Sequence, residues 1–276
     1  MNVFQALVLG LLQGLTEFIP ISSSGHLVLV PWLFGWPAPS MAFDTVLHLG
    51  TLAAILGFFW RDYLSLLRAA GDSIRLRSLD VPQSRLAWAL VIGTIPAALL
   101  GYVFEDWFEG LFAAEAWVAV FLIATGWLLL AGEVWAGRLH SATLEKLGAG
   151  VALLVGLAQG MAIAPGISRS GATMSTGRLL GLPRHDAARF SFLLAAPIIA
   201  GAGALQVVKL VKIGVGPTGV LPLVVGFAAA VVSGYLVIRL LLNYLRRHSV
   251  IPFVIYCWVA GLATLGIWLL RLPMAS

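Results

Sequence analysis

Residues 13–26 hold the side chains whose types and spacing first suggest chemistry. Gln13 and Glu17 lie four positions apart, so on a helix they share one face. Ser23 and His26 lie three positions apart, and on a following helix the hydroxyl and the imidazole can meet. A hydroxyl with an adjacent base and a carboxylate indicates nucleophilic or acid–base chemistry.

A second polar cluster lies 146 residues further along the chain. At that offset the motif ISSSG at 21–25 aligns with ISRSG at 167–171, and the pair Gln13-Gly14 is repeated as a second Gln-Gly pair. These six identities in a 13-residue window indicate an internal repeat.

The two copies differ at the positions where chemistry would require a difference. Arg169 stands in the place of Ser23, and apolar Ile163 stands in the place of Glu17. A nucleophile, a base, a carboxylate and an arginine together suit phosphoryl transfer, in which catalysis is largely positioning and charge stabilisation.

Each cluster also predicts the start of a helix. Pro20 ends the first helix and Ser22 can cap the next one, while Ser168 can cap the helix of the second cluster. Two helix N-termini would then direct backbone N–H groups and hydroxyls into one cavity, which is an anion-binding arrangement. The candidate substrate-binding residues there are Ser22, Ser24, Gly25, Gly166, Ser168, Ser170 and Thr173, with Gln13 and His48 beside them.

Packing is the alternative for part of this set. Small residues let membrane helices approach closely, and Ser22, Ser24 and Ser170 have that interpretation as well. Asp44 lies either near the site or solvated at the outer interface, and His48 lies either near the site or packed among other helices. A purely structural role for Glu17, His26 and Arg169 is disfavoured, because burying three ionisable groups in a membrane is costly.

The composition places these clusters inside a membrane protein. Only 11% of the residues are charged, against roughly a quarter in soluble domains. A run at 41–60 is long enough to cross a bilayer but contains Asp44 and His48. Uncharged apolar runs of 17 to 21 residues lie at 87–104, 116–132, 190–208, 219–238 and 250–270. The sequence therefore predicts an all-α polytopic membrane protein, with one domain over 1–276.

Basic residues lie mostly in the loops between these runs, where they set topology. Five arginines predict that the loop 61–86 faces the cytoplasm. The net charge of +5 belongs to such loops, so no nucleic-acid partner is expected. Further along the chain, the loop 105–115 has no basic residue and is expected outside. Its charged residues are Glu105, Asp106, Glu109 and Glu115. Arg138 and Lys146 predict that the loop 133–147 faces the inside.

This trace leaves both ends of 1–36 outside and both ends of 147–180 inside. Each stretch must then enter the membrane and return, and Pro, Gly and Ser interrupt each one near its middle. Such backbone is tolerated where it is buried in protein or lines a wet cavity. We expect two inverted-topology repeats, 1–140 and 147–276, each a re-entrant helical hairpin plus three transmembrane helices, with a site where they meet near the midplane.

The motifs QGLTE, PISSSGH, FDTVLHLGT and PGISRSGAT closely resemble those of the bacitracin-resistance type of undecaprenyl-pyrophosphate phosphatase, over essentially the whole chain. The resemblance implies a multi-pass enzyme of the bacterial inner membrane that hydrolyses the C55 isoprenyl diphosphate to the monophosphate. That reaction recycles the lipid carrier for peptidoglycan and other envelope polymers. The implied partners are the polyprenyl diphosphate lipid and the bilayer.

The resemblance also implies roles for individual residues. The (Glu/Gln)-x-x-x-Glu motif of the family falls on Gln13 and Glu17, and its catalytic serine and histidine fall on Ser23 and His26. Its PGxSRS motif falls on 165–170, and the arginine of that motif is the phosphate ligand.

A divalent cation and a site open to the periplasm are further implications of the resemblance. The cation would be Mg²⁺ or Ca²⁺, with Glu17 and Gln13 as its candidate ligands. One carboxylate and one carboxamide are a sparse set of ligands for either ion.

In the mechanism expected from these roles, Arg169 and the helix N-termini hold the phosphates, and a metal ion near Glu17 assists them. Ser23 attacks the terminal phosphorus, while His26 takes its proton or protonates the leaving group. Water then releases phosphate. Direct attack by water with Glu17 as base, and attack by His26 itself, stay open, because spacing does not separate them.

The competing function is a transporter or flippase for isoprenyl-phosphate lipids, since inverted repeats with broken helices are characteristic of secondary transporters. The asymmetry between Ser23/His26 and Arg169/Ala172 favours an enzyme, because a reaction requires it and binding alone does not. The sequence leaves the oligomeric state open, with a homodimer among the alternatives.

Overall fold

A computed structural model of the chain describes residues 1–104, 107, 115–136, 144, 147–213 and 219–271. The regular secondary structure of these residues is helical. In chain order the helices are α1 Val3–Phe18, α2 Ser23–Phe34, α3 Met41–Phe58, α4 Trp60–Leu76, α5 Pro82–Val103, α6 Glu115–Val134, α7 Ala149–Met161, α8 Arg169–Leu179, α9 Arg184–Ile213, α10 Val220–Tyr244 and α11 Ile251–Arg271.

Six of these helices are long and apolar enough to cross a membrane, namely α3, α5, α6, α9, α10 and α11. Each of the six apolar runs predicted from the sequence lies on one of them. The prediction holds for 41–60 as well, where Asp44 and His48 interrupt an otherwise apolar helix. Length and composition therefore make the chain a multi-pass membrane protein.

Four shorter helices form two hairpins. α1 packs against α2 on either side of a break at 19–22, and α7 packs against α8 on either side of a break at 162–168. Proline and serine lie in both breaks, and the second break also contains Gly166, as expected where a helix must stop and another begins. The two breaks approach each other, because a Cβ added to Gly25 would lie 3.2 Å from the Gly166 Cα.

Glycines let each hairpin pack closely against a long helix of the other half. α1 lies on α10, where a Cβ added to Gly14 would meet the Ser233 Oγ at 2.0 Å. α7 lies on α5, where a Cβ added to Gly156 would meet the Gly93 carbonyl oxygen at 2.3 Å. Small residues at these crossings bring the helix backbones together.

The structure differs from the sequence analysis at 61–86, which was expected to be a loop. Most of this segment forms α4, an amphipathic helix that a single residue, Phe59, separates from the end of α3. Tyr63 anchors it by donating a hydrogen bond to the Leu193 carbonyl at 3.0 Å. Of the loop residues used to predict topology, Glu105, Asp106, Glu109, Arg138 and Lys146 lie outside the described residues.

Candidate active site

Serine side chains cap the two helices that begin at the breaks, as predicted. The Ser22 Oγ accepts a hydrogen bond from the Gly25 N–H at 3.3 Å at the start of α2. The Ser168 Oγ accepts one from the Gly171 N–H at 3.0 Å at the start of α8. Each capping serine also contacts the serine two positions on, at 3.3 Å for Ser24 and 3.1 Å for Ser170.

Two residues at the breaks adopt backbone conformations with positive φ. Ser22 has φ 69° and ψ 97°, which is strained for a residue with a side chain. Gly166 has φ 98°, and a Cβ there would lie 2.3 Å from the Val118 carbonyl oxygen. Its own carbonyl accepts a hydrogen bond from Thr125 at 3.0 Å. Gly166 is therefore required for the close packing of this break against α6.

Glu17 is the centre of the site and joins the two halves of the chain. Its Oε2 accepts hydrogen bonds from the Ser23 Oγ at 2.5 Å and the Gln13 Nε2 at 3.1 Å. Its Oε1 pairs with the Arg169 guanidinium at 3.0 Å. The Glu17 side chain is 6% exposed and the Arg169 side chain 15%, so this ion pair is largely shielded from water. The sequence predicted all four residues, and the structure brings them together.

His26 lies beside this group but does not meet the Ser23 hydroxyl, so that expected contact is wrong. Its Nδ1 lies 2.7 Å from the Ser22 carbonyl oxygen, and its Nε2 lies 2.6 Å from the Tyr256 hydroxyl. A carbonyl only accepts hydrogen bonds, so Nδ1 carries the proton and the neutral ring accepts the tyrosine O–H at Nε2. The nearest base to the Ser23 hydroxyl is therefore the Glu17 carboxylate.

Tyr256 is a site residue that the sequence analysis missed. It lies on α11, and its ring stacks on the His26 ring with centroids 5.7 Å apart and planes 16° apart. The available signal was a phenol within an apolar span, because a tyrosine hydroxyl in apolar surroundings usually has a polar partner.

Ser191 is a second missed residue, and it orients the arginine helix. Its carbonyl lies 3.4 Å from the Arg169 Nη1, and its hydroxyl lies 2.6 Å from the Thr173 Oγ1. Thr173 also donates to the Arg169 carbonyl at 2.8 Å. Ser170 faces the opposite hairpin, where its Oγ donates to the Ile19 carbonyl at 3.3 Å. Ser191 had no motif to mark it, because it lies in an apolar run.

His48 and Asp44 lie on α3, which packs against α1. The His48 Nδ1 lies 2.9 Å from the Asp44 carbonyl oxygen, one turn back on the same helix. The Asp44 Oδ1 is buried without a hydrogen-bond partner in the described part of the chain. This atom is therefore enclosed by protein rather than solvated.

The donor set for a divalent cation consists of oxygens on α1. The Gln13 Oε1 is fully buried and has no hydrogen-bond partner among the described residues. Those residues contain no cluster of three or more His, Cys, Asp or Glu side chains that could hold a metal by themselves. Mg²⁺ is commonly held by one or two carboxylates together with substrate phosphates. The Gln13 oxygen and Glu17 thus fit a cation that binds together with a diphosphate, rather than one in an all-protein cage.

Comparison with known proteins gives the family of the chain. Residues 6–263 match the model of the family described as bacitracin resistance protein BacA. An undecaprenyl-diphosphatase of Thermomicrobium roseum is 46% identical over 273 residues, which are 96% of this chain and 98% of that protein. An undecaprenyl-diphosphatase of Desulforudis audaxviator is 45% identical, over 98% of this chain and 100% of that protein. The chain belongs to the bacitracin resistance protein BacA family.

Proposed function

We propose that this chain hydrolyses undecaprenyl diphosphate to undecaprenyl monophosphate and phosphate. Its relatives in Thermomicrobium roseum and Desulforudis audaxviator are named for that activity, and the chain matches each of them over nearly its whole length. The observation that carries the proposal is the Glu17 carboxylate, which binds a serine hydroxyl from one hairpin and an arginine from the other. The nucleophile Ser23, its base Glu17 and the phosphate-binding guanidinium of Arg169 thereby lie together near the N-termini of two helices.

In the first step, the Ser23 Oγ bonds to the terminal phosphorus as the bridging phosphorus–oxygen bond breaks. The hydroxyl proton passes to Glu17, whose Oε2 lies 2.5 Å from the Ser23 Oγ. The leaving group is the lipid monophosphate, and the bridging oxygen keeps the electron pair of the broken bond. In the second step, water attacks the phosphoserine and the bond between phosphorus and the Ser23 oxygen breaks. One proton of the water restores the Ser23 hydroxyl, the other leaves on the phosphate, and Glu17 releases to solvent the proton that it took in the first step.

Arg169 and the starts of α2 and α8 bind the phosphates in this scheme. The guanidinium offers two parallel donors to phosphate oxygens, and it is already held beside the carboxylate at 3.0 Å. Free N–H groups in the first turn of each helix add positive potential at the same place.

Tyr256 and Ser22 hold His26 in one orientation and one tautomer. Its Nε2 accepts a hydrogen bond in this state, so His26 is a proton acceptor on the side of α11. We assign it the transfer of protons to and from phosphate oxygens rather than activation of Ser23.

A divalent cation, Mg²⁺ or Ca²⁺, would be held by Gln13 and Glu17 together with the diphosphate. It would neutralise charge on the phosphate oxygens and align them for displacement. The buried, unpartnered oxygen of Gln13 supports this assignment, since an acceptor without a donor is otherwise costly there.

The architecture proposed for this reaction is a pair of inverted-topology repeats, each a re-entrant hairpin plus three transmembrane helices. Mirrored packing supports it, because α1 of the first half lies on α10 of the second, and α7 of the second lies on α5 of the first. The arginines on and after α4 support a cytoplasmic position for 61–86 and a site open to the periplasm of the bacterial inner membrane. There the product would re-enter carrier recycling for cell-wall polymers.

The test is phosphate release from the purified chain in detergent, using undecaprenyl diphosphate with and without a chelator. We expect release that stops with chelator and returns with Mg²⁺ or Ca²⁺, and that is lost in Ser23→Ala. Lipid binding without release in the unaltered chain would contradict the proposal. The names of the relatives disfavour the transporter alternative, because those names describe a diphosphatase.

A further inference from the structure

α4 presents three distinct faces. Its inner face is fixed to the protein by Tyr63, which binds the Leu193 carbonyl at 3.0 Å, and by the buried Ser73, which accepts the Trp88 indole N–H at 2.9 Å. The Ser84 Oγ ties the start of α5 to it by donating to the Ala69 carbonyl at 2.9 Å. The helix is therefore held in place, although most of its surface is exposed.

The second face is a partly exposed apolar stripe, and its first two residues also line a groove beside α5. Trp60, Leu64, Leu67 and Ile74 follow helical spacing along one side, with exposed fractions of 52%, 43%, 69% and 66%. α3, a membrane span, ends at Phe58, and α4 begins at Trp60. The stripe therefore starts where the chain leaves the membrane.

The third face is a row of arginines along the edge of this stripe. Arg61, Arg68 and Arg75 are seven residues apart, so they lie above one another on the helix. Among the described residues, the ion pair of Arg75 is a long, exposed one with Asp72 at 3.9 Å. In the part of the chain that the structure describes, Arg61 and Arg68 make no ion pair. Their charges are therefore available to a partner.

A groove between α4 and the first turn of α5 runs along the arginine row. It has a volume of about 560 Å³, which is in the range of small-ligand sites. Arg61, Arg68 and Asp72 line one wall, and Gln83 and Ser84 line the other. With two arginines against one aspartate, the groove favours an anion of headgroup size.

We propose that this groove binds the headgroup of an acidic phospholipid, with the apolar stripe of α4 lying among the acyl chains. An exposed amphipathic helix with basic residues beside its apolar side is typical of helices that lie in the membrane interface. Guanidinium groups match phosphate by paired hydrogen bonds, and the arginine row is placed at headgroup depth by the end of α3. The site is separate from Glu17 and Ser23, and it does not depend on the proposed hydrolysis.

The experiment compares two double variants of the full-length chain, purified in a neutral detergent. Arg61→Gln/Arg68→Gln empties the groove of positive charge, and Arg246→Gln/Arg247→Gln removes the same charge from an exposed loop elsewhere. Binding of phosphatidylglycerol and phosphatidylcholine is measured by native mass spectrometry, and phosphate release is measured on the same samples.

We expect the groove variant to lose affinity for phosphatidylglycerol by roughly fivefold per arginine, while phosphatidylcholine binding and phosphate release stay unchanged. The loop variant should bind both lipids as the unaltered chain does. A conservative pair, Arg61→Lys/Arg68→Lys, should keep the fold and lose only part of the affinity, because it keeps charge without the paired donors.

Equal losses in the groove and loop variants would overturn the proposal, since they would indicate attraction by net charge alone. Unchanged phosphatidylglycerol binding in the groove variant would also overturn it. If inorganic phosphate displaces phosphatidylglycerol at equal concentration, the groove is a free-anion site and the lipid assignment is wrong.

Discussion

Replacing Glu17 by Gln tests which group activates the serine. The change is nearly isosteric, but it removes both the acceptor for the Ser23 proton and the counter-ion of Arg169. Loss of a positioned base typically costs 10²–10⁴-fold in rate. A 10³-fold loss corresponds to about 4 kcal/mol of barrier. We expect at least that loss in Glu17→Gln, and a similar one in Ser23→Ala.

The combined variant gives the sharper result. If Glu17 acts on the reaction through Ser23, the double variant Glu17→Gln/Ser23→Ala should lose little more turnover than either single variant, a loss of about 10³-fold. Independent effects would multiply to about 10⁶-fold. The hydrogen bond of 2.5 Å between the two side chains predicts the first outcome.

The assay is single-turnover phosphate release, with diphosphate-lipid binding and thermal stability measured on the same samples. Glu133→Gln is the matched control, because Glu133 forms a second carboxylate–arginine pair with Arg184 away from the site. It should cost stability without costing turnover per folded molecule. A Glu17→Gln variant within tenfold of the unaltered rate, or a multiplicative double variant, would refute the assignment of Glu17 as base to Ser23.

Three further predictions address the rest of the site and its orientation. Arg169→Lys keeps the charge but loses the paired donors, so turnover should fall strongly; near-normal phosphate release would exclude a direct phosphate contact. Tyr256→Phe removes one hydrogen bond to His26, which is worth about 1 kcal/mol. We expect a several-fold loss in kcat and an altered pH–rate profile. An unchanged profile would contradict the role of Tyr256 in positioning His26. A cysteine at Ser78 should react only with reagents that reach the cytoplasm, and one at Glu109 only from the periplasm; labelling of both from one side would refute the trace.

The membrane spans and the helix caps were predictable because both depend on local properties of the chain. A bilayer crossing needs a run of apolar residues of fixed length, and all six runs lie on helices. A serine followed by a helix-forming segment caps it wherever the helix packs, so Ser22 and Ser168 have the predicted role. The aligned repeat located both caps without any tertiary information.

The partners of Ser23 and His26 were not predictable from spacing. Residues three apart share a helix face, but several acceptors compete for each donor there. The Ser22 carbonyl accepts the His26 backbone N–H at 3.3 Å and also lies 2.7 Å from the imidazole Nδ1, which fixes Nδ1 as the donor. The partner of Nε2, Tyr256, is 230 residues away. No local pattern carries that contact.

α4 was missed for a different reason. The arginines in 61–86 have the composition of a loop that sets topology, and this obscures the helical period of the apolar residues between them. Arginine is a good helix former, and the segment has apolar residues at helical spacing between its charges. A charged segment between two spans can therefore be a helix in the membrane interface.

The difference between the two aligned segments follows from electrostatics at the point where the hairpins meet. If both segments had a glutamate and a serine at the positions of Glu17 and Ser23, two carboxylates would be buried together without a counter-ion. If both had the Ile163 and Arg169 types, two guanidiniums would face each other without one. Either symmetric pair would leave uncompensated buried charge, which costs several kcal/mol. One acidic and one basic copy give a buried pair at 3.0 Å, and only this combination puts a serine beside the carboxylate and a phosphate ligand opposite it.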